Sequence, residues 1–379
     1  MLYPWQAYQG IYIHIPFCVQ KCCYCDFASY QGQSEDMKER YVKRLVAEIE
    51  QWQPALPVSP VATVYFGGGT PSVLTVEQLQ RIVTALKEKG FWQQPKEATI
   101  EANPGTVTRE SLEAIRAMGF DRLSLGMQSF IPEELAAMGR IHTVEESLEA
   151  VTLAKQAGFT RLTGDLIYGY PGQTLDTVSY SLQQLLQTGV NHVSIYGLTV
   201  EQGTKLAYLL DHGEWVLPSE EATGAMYDYI MKALPDHGYY RYEISNFAQP
   251  GQESRHNQVY WHYDPYMAFG VAACRFDGTV RETNPRSLVD YINGKAPDRE
   301  ELTEAEREEE LVFMSLRTTK GLSLAEFRQR TGKEFFSEYQ DAYDRCAQNG
   351  WIEQTHDRIH LTSLGMQFGN RAFEEFMLG

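Results

Sequence analysis

Four of the six cysteines crowd into eight residues, Cys18, Cys22, Cys23 and Cys25, while Cys274 and Cys346 stand alone. Cys18, Cys22 and Cys25 form a C-x₃-C-x₂-C loop within Tyr-Ile-His-Ile-Pro-Phe-Cys-Val-Gln-Lys-Cys-Cys-Tyr-Cys-Asp-Phe, residues 12–27. Thiolates on short loops hold iron–sulfur clusters. Three at this spacing can wrap one 4Fe–4S cube and leave its fourth iron without a protein ligand. An open position is what a metal needs to bind a substrate directly. The methionyl amine and carboxylate of S-adenosylmethionine (SAM) suit that iron, and an electron from the cluster can then cleave the sulfonium and generate a carbon radical. Structural zinc wants four ligands, usually as two Cys pairs, and no second pair exists here. A redox C-x-x-C drawn from Cys22 and Cys25 leaves Cys18 unexplained. Cys23 reads as a non-ligand, and Cys274 and Cys346 as buried core thiols.

A second set of polar residues closes apolar runs. Phe66-Gly67-Gly68-Gly69-Thr70-Pro71 ends one run, and glycines let a backbone approach a ligand closely. Glu101 sits in Thr-Ile-Glu-Ala-Asn-Pro, Gln128 in Gly-Met-Gln-Ser-Phe, Arg140 in Met-Gly-Arg-Ile-His and Asp165 in Gly-Asp-Leu-Ile-Tyr-Gly. A carboxylate inside an apolar strand is costly unless paired or liganded. Any one of these could be a structural hydrogen bond or ion pair. Four at successive strand ends fit a convergent pocket better.

The elements that must position these groups are legible as β-rich runs at 11–16, 61–66, 98–103, 122–127, 162–168 and 192–198. Helical stretches at 37–51, 76–89, 110–118, 144–157 and 174–187 alternate with them. This alternation implies a parallel sheet buried on both faces. Six units suggest a partial (β/α)₆ barrel, with the chemistry at the carboxyl ends of its strands. Residues 203–295 are less regular and rich in Tyr. The last segment reads as three helices (304–317, 323–331, 335–349), two strands (351–354, 358–362) and a final helix, an order that resembles a winged helix. The expected division is a barrel over 1–235, a connecting region over 236–298 and a C-terminal, mostly helical winged-helix-like domain over 299–379.

The formal net charge is −17, which argues against a broad nucleic-acid footprint. The C-terminal segment repeats the sign, with nine Lys and Arg against fifteen Asp and Glu over 301–379. A structural or docking lid is the role expected of it. No apolar run is long enough for a membrane span, and residues 1–10 lack a secretory pattern. The clustered cysteines point to a reducing compartment, so a cytoplasmic location is expected.

The cysteine loop after the first strand resembles that of the radical-SAM superfamily. With Tyr-Ile-His-Ile-Pro-Phe ahead of it and Cys-Asp-Phe closing it, the text resembles the branch that holds the oxygen-independent coproporphyrinogen III dehydrogenases and the heme chaperones of the HemW family. The resemblance covers essentially the whole chain. It implies cluster ligation by Cys18, Cys22 and Cys25. It implies that Gly68, Gly69 and Thr70 contact the methionyl amino group and carboxylate of SAM, and that Glu101, Gln128, Arg140 and Asp165 also serve SAM. Tyr12 matches the tyrosine beside SAM, though a strand tyrosine is also a good core residue.

Two features separate members of the branch. The dehydrogenases carry a fourth cysteine two residues after the third, where this chain has Phe27, and a longer segment ahead of the loop. His256-Asn257-Gln-Val-Tyr260-Trp261 resembles the H-N-x-x-Y-W motif of the heme chaperones. A neutral imidazole is a standard axial ligand of heme iron, and Tyr260 and Trp261 offer flat apolar surface. A lone histidine among aromatics is otherwise usually a packed one, and His262 is the less favoured ligand. The resemblance thus implies a chaperone that binds heme and a SAM-ligated 4Fe–4S cluster. Its partners would be heme, heme-accepting proteins such as membrane-bound respiratory enzymes, and an electron donor. The alternative is radical-SAM oxidative decarboxylation of coproporphyrinogen III in porphyrin metabolism. A nucleic-acid regulator is disfavoured by the acidic balance.

Overall fold

In the computed structural model, which describes residues 3–58 and 61–377, six parallel strands line up in sequence order. They are β1 (Gly10–Ile15), β2 (Thr63–Gly68), β3 (Glu97–Ala102), β4 (Arg122–Gln128), β5 (Arg161–Tyr168) and β6 (His192–Gly197). The outermost limits expected for the first and last domains, Met1 and Gly379, lie outside the described residues. Five helices that connect these six strands each start on a hydroxyl cap. Ser34, Thr75, Thr108, Thr143 and Thr174 each accept a bond from the third amide of the helix that follows, which satisfies a donor the helix itself leaves orphaned. The apolar stripes of those helices pack on the outward face of the sheet, where Ile11, Ile13, Val64, Phe66, Ile100, Leu123, Leu125 and Val193 are fully buried. Period two then turns Tyr12, His14, Tyr65, Glu101 and Asp165 toward the barrel lumen.

The region 203–295, read from sequence as irregular, and the charged residues 298–301 just after it supply strands to both edges of the sheet. β7 (Tyr240–Arg241) and β8 (Asn246–Ala248) extend it beyond β6. β9 (Tyr266–Phe269) runs parallel to β1, and β10 (Cys274–Phe276), β11 (Val280–Thr283) and β12 (Asp298–Glu301) continue outward in antiparallel fashion. The twelve-stranded order is β12-β11-β10-β9-β1-β2-β3-β4-β5-β6-β8-β7. Strands of two to four residues are too short for alternation to be read. The helix Pro132–Met138 between β4 and Arg140 also escaped the sequence reading.

Residues 304–377 gather a second core around Leu311, Val312, Leu316, Phe327, Phe335, Tyr339 and Phe373. Three helices precede the hairpin Ile352–Thr355 and Arg358–Leu361, and the short strand Leu322–Ser323 joins its edge. This unit rests on residues 261–264. Arg317 lies 4.6 Å over the Trp261 ring, Arg330 reaches Asp264 at 3.0 Å, and Tyr263 donates to Glu310 at 2.7 Å.

The edge strands are tied to the barrel by Glu48, which is 8% exposed. It accepts from Gly270 N at 3.0 Å, Arg275 at 3.2 Å, Asn284 at 2.7 Å and Tyr291 Oη at 2.6 Å. Removing one partner of a buried ion pair leaves the other charge uncompensated. Glu48→Ala is therefore expected to lose about 3–5 kcal/mol, read as a lower urea midpoint.

Candidate functional site

A cavity of about 300 Å³ opens at the carboxyl ends of the strands and reaches into the lumen. Cys18, Cys22, Cys25, Gly68, Gly69, Thr70, Glu101, Gln128, Arg140 and Asp165 all line it. Tyr12 and His256 are not among its lining residues.

The loop that carries the thiols is stitched down from both sides. Cys18 ends the two-residue strand Phe17–Cys18, which pairs with Tyr30–Gln31. Cys23 N bonds Met138 O at 3.0 Å, and Gln20 bonds Gly139 O at 3.0 Å. Each ligand candidate has its own polar neighbour. Thr70 Oγ1 donates to Cys18 Sγ at 3.6 Å, Arg140 Nη1 donates to Cys22 Sγ at 3.2 Å, and Ser29 Oγ lies 3.8 Å from Cys25 Sγ. Burial pushes the Cys18 and Cys25 thiols up, against the pull of Thr70 on the first and of Phe27 and Ser29 on the second. Cys23 turns the other way, into an apolar cluster with Met138, Ile167, Tyr170 and Leu206, where its thiol donates to Ala137 O at 3.0 Å. Cys346 is buried in the C-terminal core and Cys274 is half-buried.

The glycine turn is fixed by sterics. Gly68 adopts φ 110°, and a Cβ there would lie 2.4 Å from His14. A Cβ on Gly69 would lie 2.7 Å from Phe17 O. The amides of Gly68, Gly69 and Thr70 are already bonded, to Glu101 at 3.1 Å, Ile15 O at 2.8 Å and Phe17 O at 2.8 Å. The turn can meet a ligand's amine with carbonyl oxygen; toward a carboxylate it offers the Thr70 hydroxyl rather than these amides.

Deeper in the lumen, Glu101 accepts from Tyr65 Oη at 2.6 Å, and Asp165 accepts from Ser124 at 3.4 Å. Burial raises both carboxyls, Asp165 to about 7 with a further push from Glu101. Gln128 has φ 68°, left-handed and uncommon for a non-glycine, beside a register shift between Leu125 and Gln128. Its amide oxygen accepts from Tyr196 Oη at 3.2 Å. Arg140 bonds Asn103 and Gly126 O as well as Cys22. Tyr24, Tyr65, Asn103, Ser124 and Tyr196 line the cavity without having been singled out in the sequence. Strand alternation would have found Tyr65, two residues ahead of Gly67.

These groups fit a cluster and SAM by their chemistry. Three thiols share one wall, and Arg140 Nε, Thr99 Oγ1 and His192 Nδ1 are buried without a partner on residues that line the cavity. Buried polar groups are normally satisfied, so these mark where a polar ligand belongs. Among the described residues no three His, Cys, Asp or Glu side chains gather as around a single metal ion. Thiols that each hold a different iron need not converge in that way.

His256 lies elsewhere, on the helix Arg255–Trp261 against the outer ends of β2 and β3, and is 1% exposed. Its Nδ1 is 2.9 Å from Thr63 Oγ1 and its Nε2 is 2.8 Å from Tyr260 Oη. Burial lowers it to about 3, so the ring is neutral. Tyr12 bonds His14 Nδ1 at 3.0 Å and stacks on Tyr65.

The chain matches the family model of the Radical SAM superfamily over residues 12–185 and that of the HemN C-terminal domain over residues 302–368. It is 34% identical to the protein named heme chaperone HemW of Lactococcus lactis subsp. lactis (strain IL1403) over 98% of both chains. It is 34% identical to the protein of that name in Bacillus subtilis (strain 168), over 97% of this chain and 99% of that one. For the Escherichia coli (strain K12) protein the figure is 31%, over 97% and 98%. The solved structure of coproporphyrinogen III oxidase (HemN) from Escherichia coli, a radical SAM enzyme, superposes with TM-score 0.86 at 24% identity, over 99% of this chain and 91% of that one. This last likeness shows the fold.

Two outcomes are expected. Anaerobic reconstitution gives the wild type and Cys23→Ala iron, inorganic sulfide and a visible chromophore, whereas Cys18→Ala, Cys22→Ala and Cys25→Ala lose most of the chromophore. In the cofactor-free chain, Asp165 holds a proton when folded that the unfolded chain loses near pH 4, so stability falls as pH rises toward and through about 7. Asp165→Asn should flatten that slope and raise the urea midpoint at pH 8, by on the order of 1 kcal/mol after screening by pocket water.

Proposed function

The chain belongs to the heme chaperone HemW family of the radical SAM superfamily, and from that premise we propose that it binds heme alongside a SAM-ligated 4Fe–4S cluster and delivers heme to acceptor proteins. The observation that carries this reading is the match to heme chaperones over nearly the full length of both chains. Phe27 supports it, since the dehydrogenase branch carries a fourth cysteine at that position; here the side chain is a 67% exposed phenyl ring. The likeness to the coproporphyrinogen oxidase rests on 24% identity and does not bring its reaction to this chain.

When bound, the cluster and SAM supply an open iron, an electron and a cleavable sulfonium. The chain's share is to hold and orient them. Cys18, Cys22 and Cys25 ligate, and Arg140 Nη1 bonds Cys22 Sγ. The glycine turn takes the methionyl amine and the Thr70 hydroxyl its carboxylate, while Glu101 and Asp165 accept hydroxyls and Gln128 orients the remainder. For heme, His256 offers a neutral imidazole across the physiological range. Its Nε2 is bonded to Tyr260 Oη at 2.8 Å, so His256 would hold heme iron only on leaving that hydroxyl. Residues 304–377 rest on residues 261–264 at the end of the helix Arg255–Trp261 and would act as a lid over it.

The clustered thiols need a reducing compartment, which supports a cytoplasmic site of action. Among the described residues no helix is long and apolar enough to cross a membrane, so membrane-bound respiratory acceptors would be met at their surface. An electron donor to the cluster completes the partners. The net charge of −17 speaks against nucleic acid.

Titration of hemin into wild type and His256→Ala tests the ligand. The variant is expected to bind at least about tenfold more weakly and to lose the imidazole-type spectrum. Equal affinity and an unchanged spectrum would remove His256 from the site.

A further inference from the structure

Two of the ligand thiols are joined by one chain of hydrogen bonds, and Asn103 is its middle link. Asn103 follows β3 directly and lines the cavity. Its Nδ2 donates to Thr70 Oγ1 at 3.2 Å, and Thr70 Oγ1 donates to Cys18 Sγ at 3.6 Å. Its Oδ1 accepts from Arg140 Nη2, while Arg140 Nη1 donates to Cys22 Sγ at 3.2 Å.

The direction of every bond in this chain is forced. A guanidinium only donates, so the Asn103 amide must turn its oxygen to Arg140 and its nitrogen to Thr70. A hydroxyl has a single proton. Thr70 receives from Asn103, which leaves that proton for Cys18, and a thiolate bound to iron only accepts. Cys22 thus meets the Arg140 charge directly. Cys18 meets it through an amide and a hydroxyl that the charge polarises.

The backbone holds Asn103 in place. Pro104 keeps the residue before it out of the helical region, and Asn103 is extended at φ −90° and ψ 139°. Its carbonyl accepts from Thr106 N at 2.9 Å and Thr106 Oγ1 at 2.8 Å. Gly126 on β4 leaves the space opposite. A Cβ there would lie 3.1 Å from Arg140 Nη2 and 3.4 Å from Asn103 Oδ1.

We propose that Asn103 is a positioning residue that sets the reduction potential of the cluster, by aiming the Arg140 guanidinium at Cys22 and the Thr70 hydroxyl at Cys18. This role rests on the reading of Cys18, Cys22 and Cys25 as the cluster ligands. Reduction adds one electron to the cluster, and hydrogen bonds to its sulfurs favour the more negative state. Both donors therefore raise the potential. Without the Asn103 amide, the guanidinium loses one of its anchors and the Thr70 proton is no longer directed at Cys18.

The test uses the full chain, anaerobically reconstituted and free of SAM. The cluster is titrated with dithionite in the presence of redox mediators and followed by its visible chromophore and by electron paramagnetic resonance. Asn103→Leu keeps the volume and loses both bonds. At equal iron and sulfide content its midpoint is expected to fall by about 59 mV, an about tenfold lower ratio of reduced to oxidised cluster at a given potential. Thr70→Val should lower the midpoint too, and the double variant should fall by less than the two shifts together, because one chain carries both. In the wild type, which needs no variant to fold, the iron–cysteine stretching bands of the resonance Raman spectrum should shift in deuterated buffer. Thr70→Val should lose part of that shift. A merely structural role for Asn103 would lower the cluster content and leave the midpoint of the clusters that form unchanged. A midpoint in Asn103→Leu equal to or above that of the wild type, additive shifts in the double variant, or Raman bands indifferent to deuterium would each overturn the role of Asn103. Full iron and sulfide in Cys18→Ala or Cys22→Ala would instead overturn the ligand assignment beneath it.

Discussion

Glu97 is wholly buried on β3, and a carboxylate with no access to water must be bonded on every side. It accepts from Arg161 at 2.8 Å, two strands away on β5, and lies 3.5 Å from Arg122 on the neighbouring β4. It also takes the first amides of the helix Arg255–Trp261, Arg255 N at 3.1 Å and His256 N at 3.0 Å. Amides at a helix start carry partial positive charge and lack intrahelical acceptors. One ion therefore closes the floor of the barrel and pins the segment that bears His256. Where that helix sits, and hence which face of His256 meets β2, follows from this carboxylate.

The opposite end of the barrel obeys the same logic with different chemistry. The cysteine loop seats Cys23 and Tyr24 in an apolar cluster and is otherwise held by bonds to its neighbours. The glycine turn hangs on Ile15 O and Phe17 O, and Met138 O and Gly139 O hold Cys23 and Gln20. Arg140 follows directly from that helix end, where Gly139 takes the left-handed conformation at φ 77°. Backbone contacts thus hold the thiols, the glycine turn and the guanidinium together.

Much of this was legible in the chain itself. The six long strands and five connecting helices announce themselves through the alternation of β-rich runs with helical stretches. The thiol spacing announces the cluster, and the polar residues that close Val- and Ile-rich runs announce the pocket. The short edge strands and the helix Pro132–Met138 carry too few residues for any period to emerge. Tyr65 was passed over because a strand tyrosine looks like core, and only the register of β2 against β3 reveals that it stands over Glu101 and His256 at once.

The sequence alone determined the cofactor chemistry, because ligand identity and loop spacing are local properties that survive without knowledge of the fold. It determined the barrel as well, since the alternation of strand and helix patterns is read within short stretches of chain. It placed His256 in a motif but could not say what surrounds it. Burial of that ring, the attachment of both its nitrogens to Thr63 and Tyr260, and its stacking on Tyr65 arise between residues nearly two hundred positions apart. Only the tertiary structure brings such groups within bonding distance. It thereby decides that the imidazole is a held group, which has to leave its partners before it can bind anything else.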